Sequence, residues 1–130
     1  MINTNIYSYI DVLNKAADAA YTRNEIISNN IANVSTPNYK RQDVQFESIL
    51  QAALAGSGDS LNKKVSELDL NLHELDAFVY TDHSSLSYRL DGNNVDIDQE
   101  EAYLSETTIR YNALVDLMTQ EFSRYKTVLS

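Results

Sequence analysis

His73, Glu74, Asp76, Asp82 and His83 are the side chains whose types could hold a metal, since imidazole and carboxylate are ordinary ligands. Their spacing does not support it. His73 and Glu74 are adjacent, no His-x3-His pattern occurs, and exposed polar residues on loops are the better reading. Ser84-Ser85 beside His83 offers the types of a nucleophile and its base, but neighbours in a loop rarely share the geometry that pair needs. Asp96 and Asp98 are explained by helix capping. With three glycines there is no phosphate-cradling loop, and with no cysteine there is neither a disulfide nor a thiolate metal site. Asn33-Val34-Ser35 matches a glycosylation acceptor only formally. The residues therefore point away from an enzyme, and no cofactor or metal is expected. A small metal-dependent hydrolase using His73 and His83 is the reading that stoichiometric metal in the purified protein would support.

The elements around these residues say more. Steps of four and three from Ile6 give Ile6, Ile10, Leu13, Ala17, Ala20, Asn24, Ile27 and Ile31; from Leu104 they give Leu104, Thr108, Tyr111, Val115, Met118, Phe122, Tyr125 and Leu129. Each run has one polar interruption, Asn24 or Thr108, and these are read as register marks. A stripe repeating every three and a half residues is what packed helices need. A helix from Ile6 to Ala32 would be about 40 Å long. Two such rods side by side leave much of each stripe uncovered, which favours assembly over an ordinary intramolecular hairpin. Leu114, Leu117 and Val128 lie off the second stripe, so that helix expects more than one neighbour.

The first helix is expected to start between Asn3 and Ser8, with Ser8 and Asp11 as one capping pair, Asn3 and Asn5 as competing caps, and Asp11–Lys15 as a surface pair. Asn33 in a left-handed cap would end it, Pro37 cannot continue it, and Thr36-Pro37-Asn38-Tyr39 reads as a turn. A short helix follows from near Asp43, with Phe46, Leu50, Ala53 and Leu54 on one face, and Gly56 to Ser60 is a link. Leu68, Leu70, Leu72 and Ala77-Phe78-Val79-Tyr80 read as short strands or extended segments. Leu86-Ser87-Tyr88-Arg89-Leu90 alternates like a strand before the turn dipeptide Asp91-Gly92. Asp98 with Glu101 makes a capping box for the last helix, with Ile97 and Ala102 at the staple positions.

The 130 residues carry a net charge of −9, and six acids between Asp91 and Glu106 meet no Lys or Arg. An acidic chain whose only basic clusters are Lys40-Arg41 and Lys63-Lys64 makes a poor partner for nucleic acid. The acidic run reads as a solvated surface. No secretory signal is visible, and Asp11, Asp18 and Glu25 rule out a membrane span in the first helix. The nine tyrosines suit surfaces that are dry on one side and wet on the other; Tyr7, Tyr9 and Tyr21 flank one stripe, and Tyr111 and Tyr125 lie in the other.

The segment Asn29-Asn30-Ile31-Ala32-Asn33-Val34-Ser35-Thr36-Pro37-Asn38-Tyr39-Lys40 resembles a signature of the bacterial flagellar axial proteins, the rod, hook and hook-associated families. Asn38 stands where those proteins usually have glycine, and asparagine is the residue that best imitates glycine at positive φ. Arg41-Gln42-Asp43-Val44-Gln45-Phe46-Glu47, Asp91-Gly92-Asn93-Asn94-Val95-Asp96-Ile97-Asp98 and Arg110-Tyr111-Asn112-Ala113-Leu114 narrow the likeness to the proximal-rod members, as does the short length. The resemblance implies helical polymerisation into the part of the drive shaft nearest the motor. It implies export without signal cleavage, terminal helices lining the export channel, and a turn at Pro37 set against neighbouring subunits. Implied partners are other copies of the chain, other rod proteins, and the junction of the motor's membrane ring with the export gate.

The expected fold is mainly α: two long terminal helices packed as a coiled-coil-like pair, a short helix after the Pro37 turn, and a small extended or β element in the middle. Residues 1–55 and 98–130 form the axial parts and 56–97 a linker with the small β region. The expected role is a structural subunit of the basal-body rod, in the cell envelope and without membrane insertion. A soluble helical adaptor or export chaperone is the alternative.

Overall fold

The computed structural model describes residues 4–55, 60–70, 72–83 and 89–130. Two long helices dominate it, α1 at Thr4–Ala32 and α4 at Ile97–Leu129. Between them lie strand β1 at Gln42–Gln45, helix α2 at Glu47–Leu54, helix α3 at Leu61–Leu70, a single 3-10 turn at Leu72–Leu75 and strand β2 at Phe78–Thr81. Tyr7 packs on Tyr125 with ring centroids 5.0 Å apart, and Tyr21 on Tyr111 at 6.4 Å. Fourteen residues along one helix thus match fourteen along the other in the opposite direction, so α1 and α4 run antiparallel as a hairpin.

The heptad stripe of α1 faces α4. Ile10, Ala17, Ala20 and Ile27 are buried, while Leu13, Asn24 and Ile31 are half-buried; Ile6 lies in α1 but its side chain is outside those described. A second face of α1 carries the middle of the chain. Ala19 joins Val44, Phe46 and Leu75 in the buried core, with Val12, Ala16, Ile26, Leu50 and Leu54 packed against it. β1 and β2 pair antiparallel, Gln42 opposite Thr81 and Gln45 opposite Phe78.

Several local expectations change. Residues 43–45 are strand, not helix, and α2 begins only at Glu47. The reason is tertiary: Asn30 and Arg23 of α1 hydrogen-bond the backbone of Gln42 and Val44 and hold the segment extended. The leucine alternation at 68, 70 and 72 misleads, since Leu61–Leu70 is a helix started by Ser60, whose hydroxyl accepts from Lys63 N–H. Leu61 and Val65, four apart, were the helical signal. Ala77-Phe78-Val79-Tyr80 does contain a strand, β2, whereas Ser84 to Tyr88 lie outside the described residues.

Helix ends also differ. Ser8 is a buried residue inside α1 rather than its cap, and Lys15 reaches Asp76, 61 residues on. α4 is capped by Asp96, whose carboxylate accepts from the backbone of Asp98 and Gln99, so Asp98 is inside the helix and Ile97 is exposed rather than stapled. Asn33 does not turn left-handed; it closes α1 by donating its amide to Asn29 O. Among the described residues no helix is long and apolar enough to cross a membrane.

Candidate assembly interface and its polar clamp

Residues 29–41 and 91–100, far apart in sequence, interlock at the closed end of the hairpin. Asn30 is fully buried in the last turn of α1. Its carbonyl oxygen accepts from Gln42 N–H at 2.9 Å and from the Tyr39 hydroxyl at 3.0 Å. Its amide donates to Gln42 O at 2.8 Å and to Glu100 at 3.1 Å. Asn93, also fully buried, donates to the carbonyls of Asn33, Val34 and Thr36 and accepts from Val95 N–H. One asparagine thus gathers three carbonyls where α1 ends and the turn begins, each of which has one further donor, Thr36 N–H, Arg89 or Tyr39 N–H.

Arg41 is the centre of the second layer. Its guanidinium donates to Glu100 at 2.5 Å and Asp82 at 2.8 Å, reaches Asp43 at 3.4 Å, and lies over the Tyr103 ring at 5.6 Å. Glu100 is 1% exposed and Arg41 7%. Burial alone would lower the Arg41 pKa, but the hydrogen bonds to Glu100 and Asp82 outweigh it, so the group is held above its usual value. Asn94 stitches the layer together by accepting from Arg41 N–H at 2.7 Å and donating to Asp82 O at 2.7 Å.

Asn38 and Gly92 complete the clamp. Asn38 has φ +59°, the left-handed region expected where it replaces glycine, and its N–H donates to Asp91 O at 2.7 Å. Gly92 has φ +75°, and a Cβ there would meet the Asn38 side chain at 2.6 Å. Lys40 donates to Gly92 O. The signature residues Asn29, Asn33, Thr36 and Tyr39 also bond one another: Asn29 to the Tyr39 hydroxyl, Thr36 to the Asn33 side chain. Of the rest, Ile31 is half-buried, and Ala32 and Pro37 are exposed.

Beyond the clamp the character changes. Glu47 joins Arg23 of α1 to Arg110 of α4 at 2.6 and 2.7 Å. The Arg23 hydrogen bond holds the Glu47 carboxyl down at about 2. A cavity of about 150 Å³ lies beside this node, lined by Ile27, Tyr103 and Thr107 among others. Further along α4 the heptad stripe divides in two. Leu104, Tyr111, Met118 and Tyr125 are half-buried, on the α1 side. Val115, Phe122 and Leu129 are 37%, 53% and 55% exposed, with Thr108 exposed among them and Leu117 and Val128 bare on another side.

The interruptions behave differently from one another. Thr108 satisfies its hydroxyl within α4 by donating to Leu104 O. Asn24 leaves its buried side-chain oxygen without a partner among the described residues. The residues proposed for metal chemistry are not brought together: Asp76 and Asp82 are bound by Lys15 and Arg41, and His83 is exposed. The side chains of His73 and Glu74, and residues Ser84-Ser85, lie outside those described. Sequence reasoning missed Arg41, Glu100 and Asn93–Asn94 as a unit. The available signal was the arginine of the Lys40-Arg41 pair after the signature turn and a glutamate, Glu100, four residues before Leu104 of the stripe.

A long antiparallel hairpin whose signature turn is locked to the loop before the second helix defines a class, and residues 10–40 match the family model described as flagella basal body rod protein. Whole-chain relatives narrow it. Over 128 residues the chain is 34% identical to the flagellar basal body rod protein FlgB of Bacillus subtilis (strain 168), covering 93% of this chain and 92% of that one. FlgB of Borrelia hermsii is 32% identical over 127 residues, 92% of this chain and 94% of the relative, and FlgB of Escherichia coli (strain K12) 26% over 113 residues, 82% of each. The chain belongs to the FlgB family of flagellar basal body rod proteins.

Proposed function

We propose that the chain is a structural subunit of the proximal rod in the flagellar basal body, polymerising helically into a shaft that transmits torque and encloses the export channel. One observation carries this reading: among the described residues Val115, Phe122 and Leu129, an apolar stripe on a helix already packed on its other side, stay 37%, 53% and 55% exposed. Such a stripe is the expected form of a surface completed by neighbours. The bare half of the α4 stripe, Val115, Phe122 and Leu129, is then the inter-subunit surface, while the stripe from Ile10 to Ile27 is already covered within the hairpin and sets its register. Its partners are other copies of the chain, other rod proteins and the junction of the membrane ring with the export gate. Each stripe residue covered contributes about 1.5–3 kcal/mol, and repetition around a helix makes the shaft stiff. The subunit leaves the cell without a cleaved signal.

Within this reading, residues 29–41 fix the direction in which the chain leaves the wall. The clamp supports that role, because a rigid turn is what a fixed exit direction requires. Phe122→Asp is the test. The variant is expected to remain helical and monomeric in solution, yet to be missing from isolated basal bodies and to leave cells non-motile. Normal incorporation of Phe122→Asp would sink the stripe as an assembly surface, and a chain confined to the cytoplasm would favour the adaptor or chaperone.

A further inference from the structure

Neighbouring residues of α4 divide the same way four times over. Glu100, Thr107, Leu114 and Glu121, every seventh residue, are buried or half-buried. The next residue along in each case, Glu101, Thr108, Val115 or Phe122, is exposed. Leu104, Tyr111, Met118 and Tyr125 form a row between these two and are half-buried on the α1 side. A helix seam takes two rows, so the middle row can pair with the first, as it does, or with the second. The two seams differ by a rotation of α4 of about 50°, half the angle between adjacent residues.

Apolar burial favours the seam that is not taken. The ring pairs Tyr7–Tyr125 and Tyr21–Tyr111 put Phe122 at the level of Ile10 and Val115 at the level of Ala17. A rotated α4 would lay both on the buried stripe of α1. The observed seam instead takes in Thr107 and Glu121 together with Leu114. Removing apolar surface from water drives helix packing, so another force must hold this rotation. Thr107 bonds Tyr103 O and Glu121 bonds Arg124, both within α4, so neither ties the first row to the rest of the fold. Glu100 does: it accepts from Arg41 at 2.5 Å and from the Asn30 amide at 3.1 Å.

We propose that Glu100 is a positioning residue that sets the rotation of α4 and so withholds Val115 and Phe122 from α1. A buried carboxylate leaves its partners only at a large cost, and a hydrogen-bonded helix turns as one body. Pinning Glu100 inward therefore turns its whole row inward and the next row out. The competing orientation has an anchor of its own, because Glu101 heads the second row and would swing towards Arg41 as Glu100 swings away. That the withheld row is kept for neighbouring subunits rests on the rod reading above; the rotation itself does not.

The chain has no cysteine, so Leu114→Cys and Val115→Cys, made one at a time in the full chain, place single thiols on adjacent rows. Their alkylation rates separate rotation from loosening, since loosening speeds both and rotation slows one while speeding the other. With Glu100 in place the thiol at 115 should react faster. Adding Glu100→Ala lets Glu101 take the vacated place beside Arg41, and the ratio of the two rates should change by about tenfold and invert. Glu101→Ala should leave the ratio as it was. If circular dichroism shows the Glu100→Ala chain unfolded, Glu100→Gln, which keeps the size and removes the charge, takes its place and should shift the ratio the same way. An unchanged ratio in a folded Glu100 variant, or both rates rising together in Glu100→Gln, overturns the proposal. An inverted ratio in a chain that still enters basal bodies normally overturns the stripe of the rod reading and leaves the rotation standing.

Discussion

At the closed end of the hairpin Asn30, Asn93, Arg41 and Glu100 are all buried, whereas in its open half Phe122, Val128 and Leu129 are more than half exposed. Each region reverses the usual distribution of polar and apolar side chains. The closed end can hide its polar groups because each has a partner in the same chain: Asn93 three carbonyls, Arg41 three carboxylates. The open half does not hide its apolar groups because, among the described residues, α1 is the element packed beside α4 there. The contrast teaches where the chain is finished and where it is not. The clamp is complete in one molecule; the arm, in the rod reading proposed above, is completed by others.

Arg41→Met should break the contrast most severely, since it strands Glu100 as an unpaired buried charge. A loss of about 3–5 kcal/mol is expected in urea unfolding. The double variant Arg41→Met with Glu100→Leu should recover a large part of it, because removing both partners leaves no orphan. Equal losses for single and double variants would mean the pair acts only through packing.

Asn93→Ala should cost about 1–3 kcal/mol by leaving the buried Val95 N–H without its acceptor and by taking one of two donors from each of the carbonyls of Asn33, Val34 and Thr36. Hydrogen exchange should then rise first at residues 33–41 and 93–96, with the middle of α1 still protected. Exchange rising equally along α1 would show that the clamp is not a separate unit.

A smaller effect lies at the boundary between the regions. Arg23 holds Glu47 at about 2, below its ordinary 4.5. The depressed carboxylate stabilises the fold fully above pH 4.5, and this contribution is lost as pH falls towards 2. Because the Glu47 side chain is 51% exposed, solvent screening limits it to under about 1 kcal/mol. Urea melts between pH 2 and 6 should show Glu47→Gln losing that part of the pH dependence; an unchanged slope would remove Glu47 from the account.

The smallest change in the free chain is expected from Phe122→Asp itself, within about 0.5 kcal/mol of the parent, because the ring is already half in water. A loss above about 2 kcal/mol would mean that the arm, like the clamp, is finished within the single chain.

Much of the fold was legible in the residues. The stripes at Ile6–Ile31 and Leu104–Leu129 specify two helices, since a repeat of three and a half residues leaves no other regular structure to bury them. Pro37 and Asn38 specify the turn, because one cannot extend a helix and the other takes positive φ at little cost. The run of Asp96 and Asp98 marks the start of α4 to within two residues, and spacing alone does not choose between them: Asp96 with Gln99 fits the capping pattern as well as Asp98 with Glu101. Tertiary structure decided the rest. Residues 42–45 became a strand because α1 supplies side chains that imitate a neighbouring strand. The buried pairing of Arg41 with Glu100 spans 59 residues, a distance over which no periodicity carries information. Only the folded hairpin could divide the C-terminal stripe into a covered half and a bare one, since its residues other than Thr108 are alike in being largely apolar and differ only in which way α4 turns them.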